Sequence, residues 1–192
     1  MVVKSSRLSS IRASLLQLAM TEILLLRLVH ILSATFWLGA GLMSSLFLMP
    51  TLAAAGPSGG AVLQGLRSRG LMTWMPIAAV LTLTTGARLW WVMAAGQPAV
   101  FLASPMGRTL AWSGAAALVG FALAMLVGRP SQVQAAQIGA RLGEVGAILS
   151  ASERESLTRR VAILRRRGGQ ASFAAVVLLT LSGAGMAVAR YL

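Results

Sequence analysis

The sequence predicts an all-α membrane protein. Four transmembrane helices form an antiparallel bundle, with an amphipathic helix at the N-terminus and a basic helical hairpin between the third and fourth spans. Three observations carry this. Hydrophobic residues make up 57% of the 192, and the mean hydropathy is +0.78, whereas soluble domains are about 45–50% apolar. The excess gathers in separate, nearly uncharged blocks long enough for a hydrocarbon core, which takes about 20 residues. The basic residues, all arginine except Lys4, mostly flank those blocks.

Residues 1–20 open with Lys4, Arg7 and Arg12, while Leu8, Ile11, Leu15 and Leu18 form one helical stripe. A short basic amphipathic helix of this kind lies in the membrane interface. A cleaved signal peptide fits less well, because no small-residue cleavage site is present and the next apolar run is too long. The first span covers 23–49 and ends at Pro50; at ~1.5 Å per residue it exceeds a ~30 Å core, so tilt is expected. A linker rich in Gly, Ser and Ala, with Arg67 and Arg69, leads to the second span at 71–95. Pro76 falls in its first turns, where proline is tolerated, and Trp90 and Trp91 mark its far interface. After a link containing Pro98 and Pro105, the third span covers 109–127, with Gly128-Arg129-Pro130 as a helix stop. The fourth covers 170–189.

Residues 131–169 form the one sizeable polar segment. Ile138, Leu142, Val145 and Leu149 are helically spaced, as are Leu157, Val161 and Leu164, and Ser152 with Glu155 reads as a capping box. Two short amphipathic helices follow, the second carrying Arg159, Arg160, Arg165, Arg166 and Arg167. They form either a hairpin lying on lipid headgroups or a docking surface for a partner.

Four spans return the C-terminus to the side of the N-terminus. That side carries Lys4, Arg7, Arg12, Arg108 and Arg190. The other carries Arg67, Arg69, Arg129, Arg141, Arg154 and the five arginines of the hairpin. The positive-inside rule puts the richer side in the cytoplasm. Counting Arg27 and Arg88 narrows the difference without reversing it.

The net charge of +13 is thus a matter of orientation and anionic membrane lipid, not of nucleic acid, for which no segment is long enough to build a soluble module. Cysteine is absent, and the four acids are Glu22, Glu144, Glu153 and Glu155. Thiolate chemistry and intramembrane carboxylate pairs therefore lack material.

The antiparallel order places His30, Arg27 and Arg88 at a common depth. Arg27, His30, Ala34, Trp37 and Gly41 share one face of the first span. Ionisable residues in a membrane face the bundle interior. Either the arginines reach to the interface while His30 bonds a neighbouring helix, or the three line a pocket for haem, copper or an anionic headgroup. His30 is the sole histidine, so a second ligand would be Met20, Met93 or Met106.

Small residues at helical spacing mark close helix contacts. They are Gly120, Ala124 and Gly128; Gly183 with Ala187; Gly185 with Ala189; and, on the first span, Gly39, Ala40 with Ser44, and Gly41 with Ser45. Four spans offer more such faces than one bundle uses, which points to other membrane protein subunits as partners.

Arg27-Leu-Val-His30, then Phe36-Trp37-Leu38-Gly39, then Pro50 resembles the first span of small bacterial membrane proteins of the copper-resistance D family. Thr84-Thr85-Gly86 and the C-terminal Met186 to Leu192 are similar to uncharacterised four-helix members of that group. The resemblance implies a multi-pass protein of the bacterial cytoplasmic (inner) membrane, with haem b or copper near His30, and the charge bias puts the termini in the periplasm. Only His30, Trp37 and Gly39 carry over from the motif, and of these only His30 has a ligating atom. The expected function is a non-catalytic subunit of a larger respiratory or photosynthetic type of complex. A copper- or haem-handling protein centred on His30 is the alternative.

Overall fold

The computed structural model describes the backbone of residues 2–145 and 148–192, and the side chains of 17–56, 58–144 and 148–192. The described chain is helical throughout, without strands. It comprises α1 (Val2–Met43), a π turn (Ser44–Leu48), α2 (Met49–Ala54), α3 (Pro57–Ser68), α4 (Leu71–Met93), α5 (Pro98–Ala103), α6 (Pro105–Leu123), a second π turn (Ala124–Gly128), α7 (Arg129–Val145), α8 (Ala151–Val188) and a closing 3₁₀ turn (Ala189–Tyr191).

Three helical runs are long and apolar enough to cross a membrane: Gln17–Ala54, Pro105–Glu144 and Ala151–Tyr191, with mean hydropathies of 1.8, 2.0 and 1.9. A fourth candidate arises when the helices Ser58–Ser68 and Leu71–Met93, bent by 53° at their junction, are taken as one. The bend sits at Gly70, whose φ of 83° is the left-handed conformation that glycine adopts without a Cβ clash. The expected second span is thus a candidate only together with the helix that precedes it.

Several expected boundaries move. No break separates residues 2–20 from the first span, since α1 runs unbroken from Val2. The stripe through Leu8, Ile11 and Leu15 and the charges Lys4, Arg7 and Arg12 lie outside the described side chains. Pro50 does not end its helix, and Gly128-Arg129-Pro130 does not end the third span. In both places a π turn immediately precedes the residue before proline. Met49 N–H bonds to Ser44 O, and Arg129 N–H to Ala124 O, each one residue further back than in an α-helix. Proline cannot donate to the carbonyl four residues back, and its ring clashes with it. A π turn shifts that carbonyl, so the helix continues.

The expected flat hairpin is corrected for the same reason of continuity. Its second half and the fourth span are one helix, α8, and its first half, α7, continues the third. At ~1.5 Å per residue each composite helix is roughly twice as long as a ~30 Å core. Their distal halves pack side by side: a Cβ on Gly168 would lie 3.0 Å from Gln132 Cγ, and Gln132 Nε2 donates to Ser172 Oγ at 3.3 Å. Val145 lies outside the described side chains. The capping box is Ser150 with Glu153, not Ser152 with Glu155. Ser150 Oγ accepts from Glu153 N–H, and the Glu153 carboxylate accepts from the Ser150 N–H at 3.0 Å. Glu155 instead pairs with Arg159 one turn on.

Neighbouring helices run antiparallel, as their contacts show. On α1 and α4, Glu22 meets Arg88 and Ser33 meets Thr82. On α6 and α8, Gly120 meets Ala175 and the second π turn's Gly128 meets Ser172. The core is small. Trp37 (6% exposed), Ala78, Ala79, Ala117 and Leu179 form it, and among the described residues no large side chain is fully buried. Leu24, Leu28, Leu32, Trp112 and Leu126 point outward. This is how helices pack in lipid, where small faces touch and large apolar side chains meet acyl chains.

Candidate functional site

His30 sits half-buried where α1 crosses α4. Its Nδ1 lies 2.9 Å from the Thr82 carbonyl oxygen and 3.3 Å from Thr85 Oγ1. A carbonyl only accepts, so Nδ1 carries the proton and donates. The Thr85 hydroxyl donates onward to Leu81 O at 2.5 Å, leaving its lone pair for the histidine. The ring fits because residue 86 is glycine: a Cβ there would lie 2.8 Å from His30 Cε1 and 3.2 Å from Nδ1. Directly below, Thr82 Oγ1 donates to Ser33 Oγ at 2.9 Å, and Ser33 Oγ to Val29 O at 2.7 Å. A polar ladder thus fastens α1 to α4. With the proton on Nδ1, the Nε2 lone pair is the histidine's ligating atom.

The expected trio separates. Arg88 turns to Glu22, with Nε and Nη2 at 2.8 and 2.6 Å from the same carboxylate oxygen, at the half-exposed flank of the helix pair. Arg27 is exposed. The pairing with Glu22 follows from the same antiparallel register that set Arg88 at the depth of Arg27, and no single stretch of sequence signals it. Trp37 is buried two turns from His30, edge-on to Phe121 with ring centroids 6.1 Å apart.

The small residues divide similarly. A Cβ on Gly41 would meet Val176 at 3.2 Å, on Gly120 the Ala175 carbonyl at 3.1 Å, and on Gly128 Ser172 Oγ at 3.3 Å. Gly39 has nothing within 4 Å. Gly183 and Ala187 are exposed, and the close approach on that stretch of α8 is Gly185 against Ser113. Ser45 and Ala124 line a cavity instead.

That cavity, about 350 Å³, was not legible in the sequence. Trp37, Gly120 and Leu179 lie toward the inner end of its lining and Met49, Arg67, Arg129 and Gln132 toward the outer end, with Met72, Met75 and Met125 also in the walls. Its lining comes from segments far apart in the chain, which no single stretch signals. Among the described residues, no three His, Cys, Asp or Glu side chains gather as a metal site. The fold and site define a helical chain with long apolar helices compatible with several membrane crossings. No protein-family model matches the chain, and neither does any curated protein or solved structure.

Proposed function

We propose that this chain is a non-catalytic integral subunit of a larger bacterial membrane complex, crossing the cytoplasmic membrane four times as an antiparallel bundle with its termini in the periplasm. One observation carries the reading: of the histidine and the four glutamates, all but Glu144 are engaged in structural contacts. His30 is tied to Thr82, Glu22 to Arg88, Glu155 to Arg159, and Glu153 caps α8. The open small position Gly39, within a rim of exposed apolar side chains, supports contact with other membrane helices. The basic ends of α7 and α8 suit the anionic cytoplasmic leaflet. The test is size and composition after gentle solubilisation of tagged chain from its native membrane. Co-migration with defined partner subunits is expected; a stable, partner-free monomer overturns the proposal.

A copper- or haem-handling role centred on His30 is the second reading. The tautomer favours it, since Nδ1 is satisfied by a carbonyl and Nε2 keeps its lone pair, as in metal-bound histidines. The resemblance to the copper-resistance D family adds to it. A reduced-minus-oxidised spectrum and copper analysis of the purified chain decide it. Metal or haem that persists unchanged in His30→Ala removes His30 from the role.

A further inference from the structure

We infer that the cavity beneath the two π turns is a binding site for one anionic phospholipid, with an acyl chain inside and the phosphate at Arg67 and Arg129. The inference concerns a different place from His30 and stands whether or not the chain joins a complex.

The polarity of the cavity is graded along the helix axes. Trp37 and Gly120 at the inner end are each 12 residues from Met49 and Gln132 at the outer end. At ~1.5 Å per residue this is a depth of roughly 18 Å, about the length of much of an acyl chain. The lining is mostly apolar and includes four methionines whose flexible thioethers adapt to a chain without fixed shape. The volume lies within the ~300–1,000 Å³ usual for ligand sites. At the outer end the charge is purely cationic: Arg67 from α3 and Arg129 from α7, beside the amide of Gln132, and no acid lines the cavity. Both arginines are exposed, so a phosphate at the headgroup level reaches them without desolvating a buried charge. A lipid in its leaflet has this same order of apolar chain inward and anion at the interface.

A second feature points to the same place. Ser44 and Ser45 of the first π turn, and Ala124 and Met125 of the second, all line the cavity. Each π turn adds a residue to its helix, and π turns recur at functional sites.

The test is native mass spectrometry of the full chain in mild detergent, titrated separately with dioleoylphosphatidylglycerol, dioleoylphosphatidylcholine and oleate. The expected result is one phosphatidylglycerol bound in clear preference to phosphatidylcholine and oleate. Binding should fall roughly tenfold or more in Arg67→Gln with Arg129→Gln, which removes two charge-assisted contacts. Arg160→Gln, away from the cavity, should bind as the unaltered chain does. Ser45→Leu, which fills the cavity while leaving both arginines, should also lose binding, and it keeps the test decisive if the double variant misfolds. Equal binding of phosphatidylcholine, or phosphatidylglycerol binding untouched by Ser45→Leu, overturns the site. Preference for oleate overturns the phospholipid in favour of a free fatty acid.

Discussion

Two glycines on facing helices show how much local context decides the effect of one methyl group. Gly86 lies against the His30 ring, whereas Gly39 faces open space. Gly86→Ala should destabilise the helix pair by about 1–3 kcal/mol through overpacking. Gly39→Ala should be neutral or stabilise by up to about 1 kcal/mol through helix propensity. Thermal unfolding of the two variants in detergent checks this, and equal losses would mean that His30 is not seated on α4 as described. Glu153 offers a pH readout in the polar first turn of α8, well ahead of the apolar stretch 170–189. The Ser150 hydroxyl first, and the Ser150 backbone N–H next, hold its carboxyl below the ordinary 4.5. A lowered folded pKa favours the ionised form, so this support of α8 is complete above about pH 4.5 and is lost as pH falls through the folded value. Protection factors of the amides in the first turn of α8, which are taken relative to the intrinsic exchange rate at each pH, should therefore fall on acidification below 4.5. Glu153→Ala should show low protection factors at every pH. The histidine and the acids were visible in the sequence, but their partners were not, because a hydrogen bond depends on which residue stands opposite.

At the scale of elements, continuity through Pro50, Pro130 and the Gly168-Gly169 pair is what reshapes the expected architecture. Glycine pairs weaken a helix by conformational entropy, yet α8 passes through this one because Gly168 packs against α7. Gly168→Ala would press a Cβ to 3.0 Å from Gln132 Cγ and 3.3 Å from the Gly128 carbonyl, while Gly169 has nothing within 4 Å. Gly168→Ala is expected to lower the melting temperature and Gly169→Ala to leave it unchanged or raise it. If α7 and the start of α8 lay flat on headgroups, the two substitutions would act alike. Punctuation rules read from sequence failed at the prolines because they describe the cost of a missing α-helical bond. They do not anticipate that a π turn can absorb it.

For the whole molecule, the absence of native cysteine makes topology directly measurable. In the proposed arrangement, Gln97→Cys should react with a membrane-impermeant maleimide from the periplasmic face of intact cells. Arg160→Cys should react only in inverted vesicles. Labelling of both from one face would rule out a crossing between them and with it the four-span bundle. The thin core is also a property of this scale. The long apolar helices bury mainly alanines, serines, Trp37 and a few leucines and valines against one another, and leave most of their large apolar side chains exposed.

Composition and periodicity alone determined that the chain is helical, that its apolar runs are long enough for a membrane, and where its charges concentrate. Each of these is a property of one stretch of chain and its solvent. Only the tertiary structure decided that Arg88 turns to Glu22 rather than joining His30, that the expected hairpin is the distal half of two long helices, and that a cavity with a cationic mouth lies between them. Those outcomes depend on which faces of distant helices meet. In lipid, the meeting is settled by small differences in packing between similar apolar surfaces, which leave little trace in any single segment.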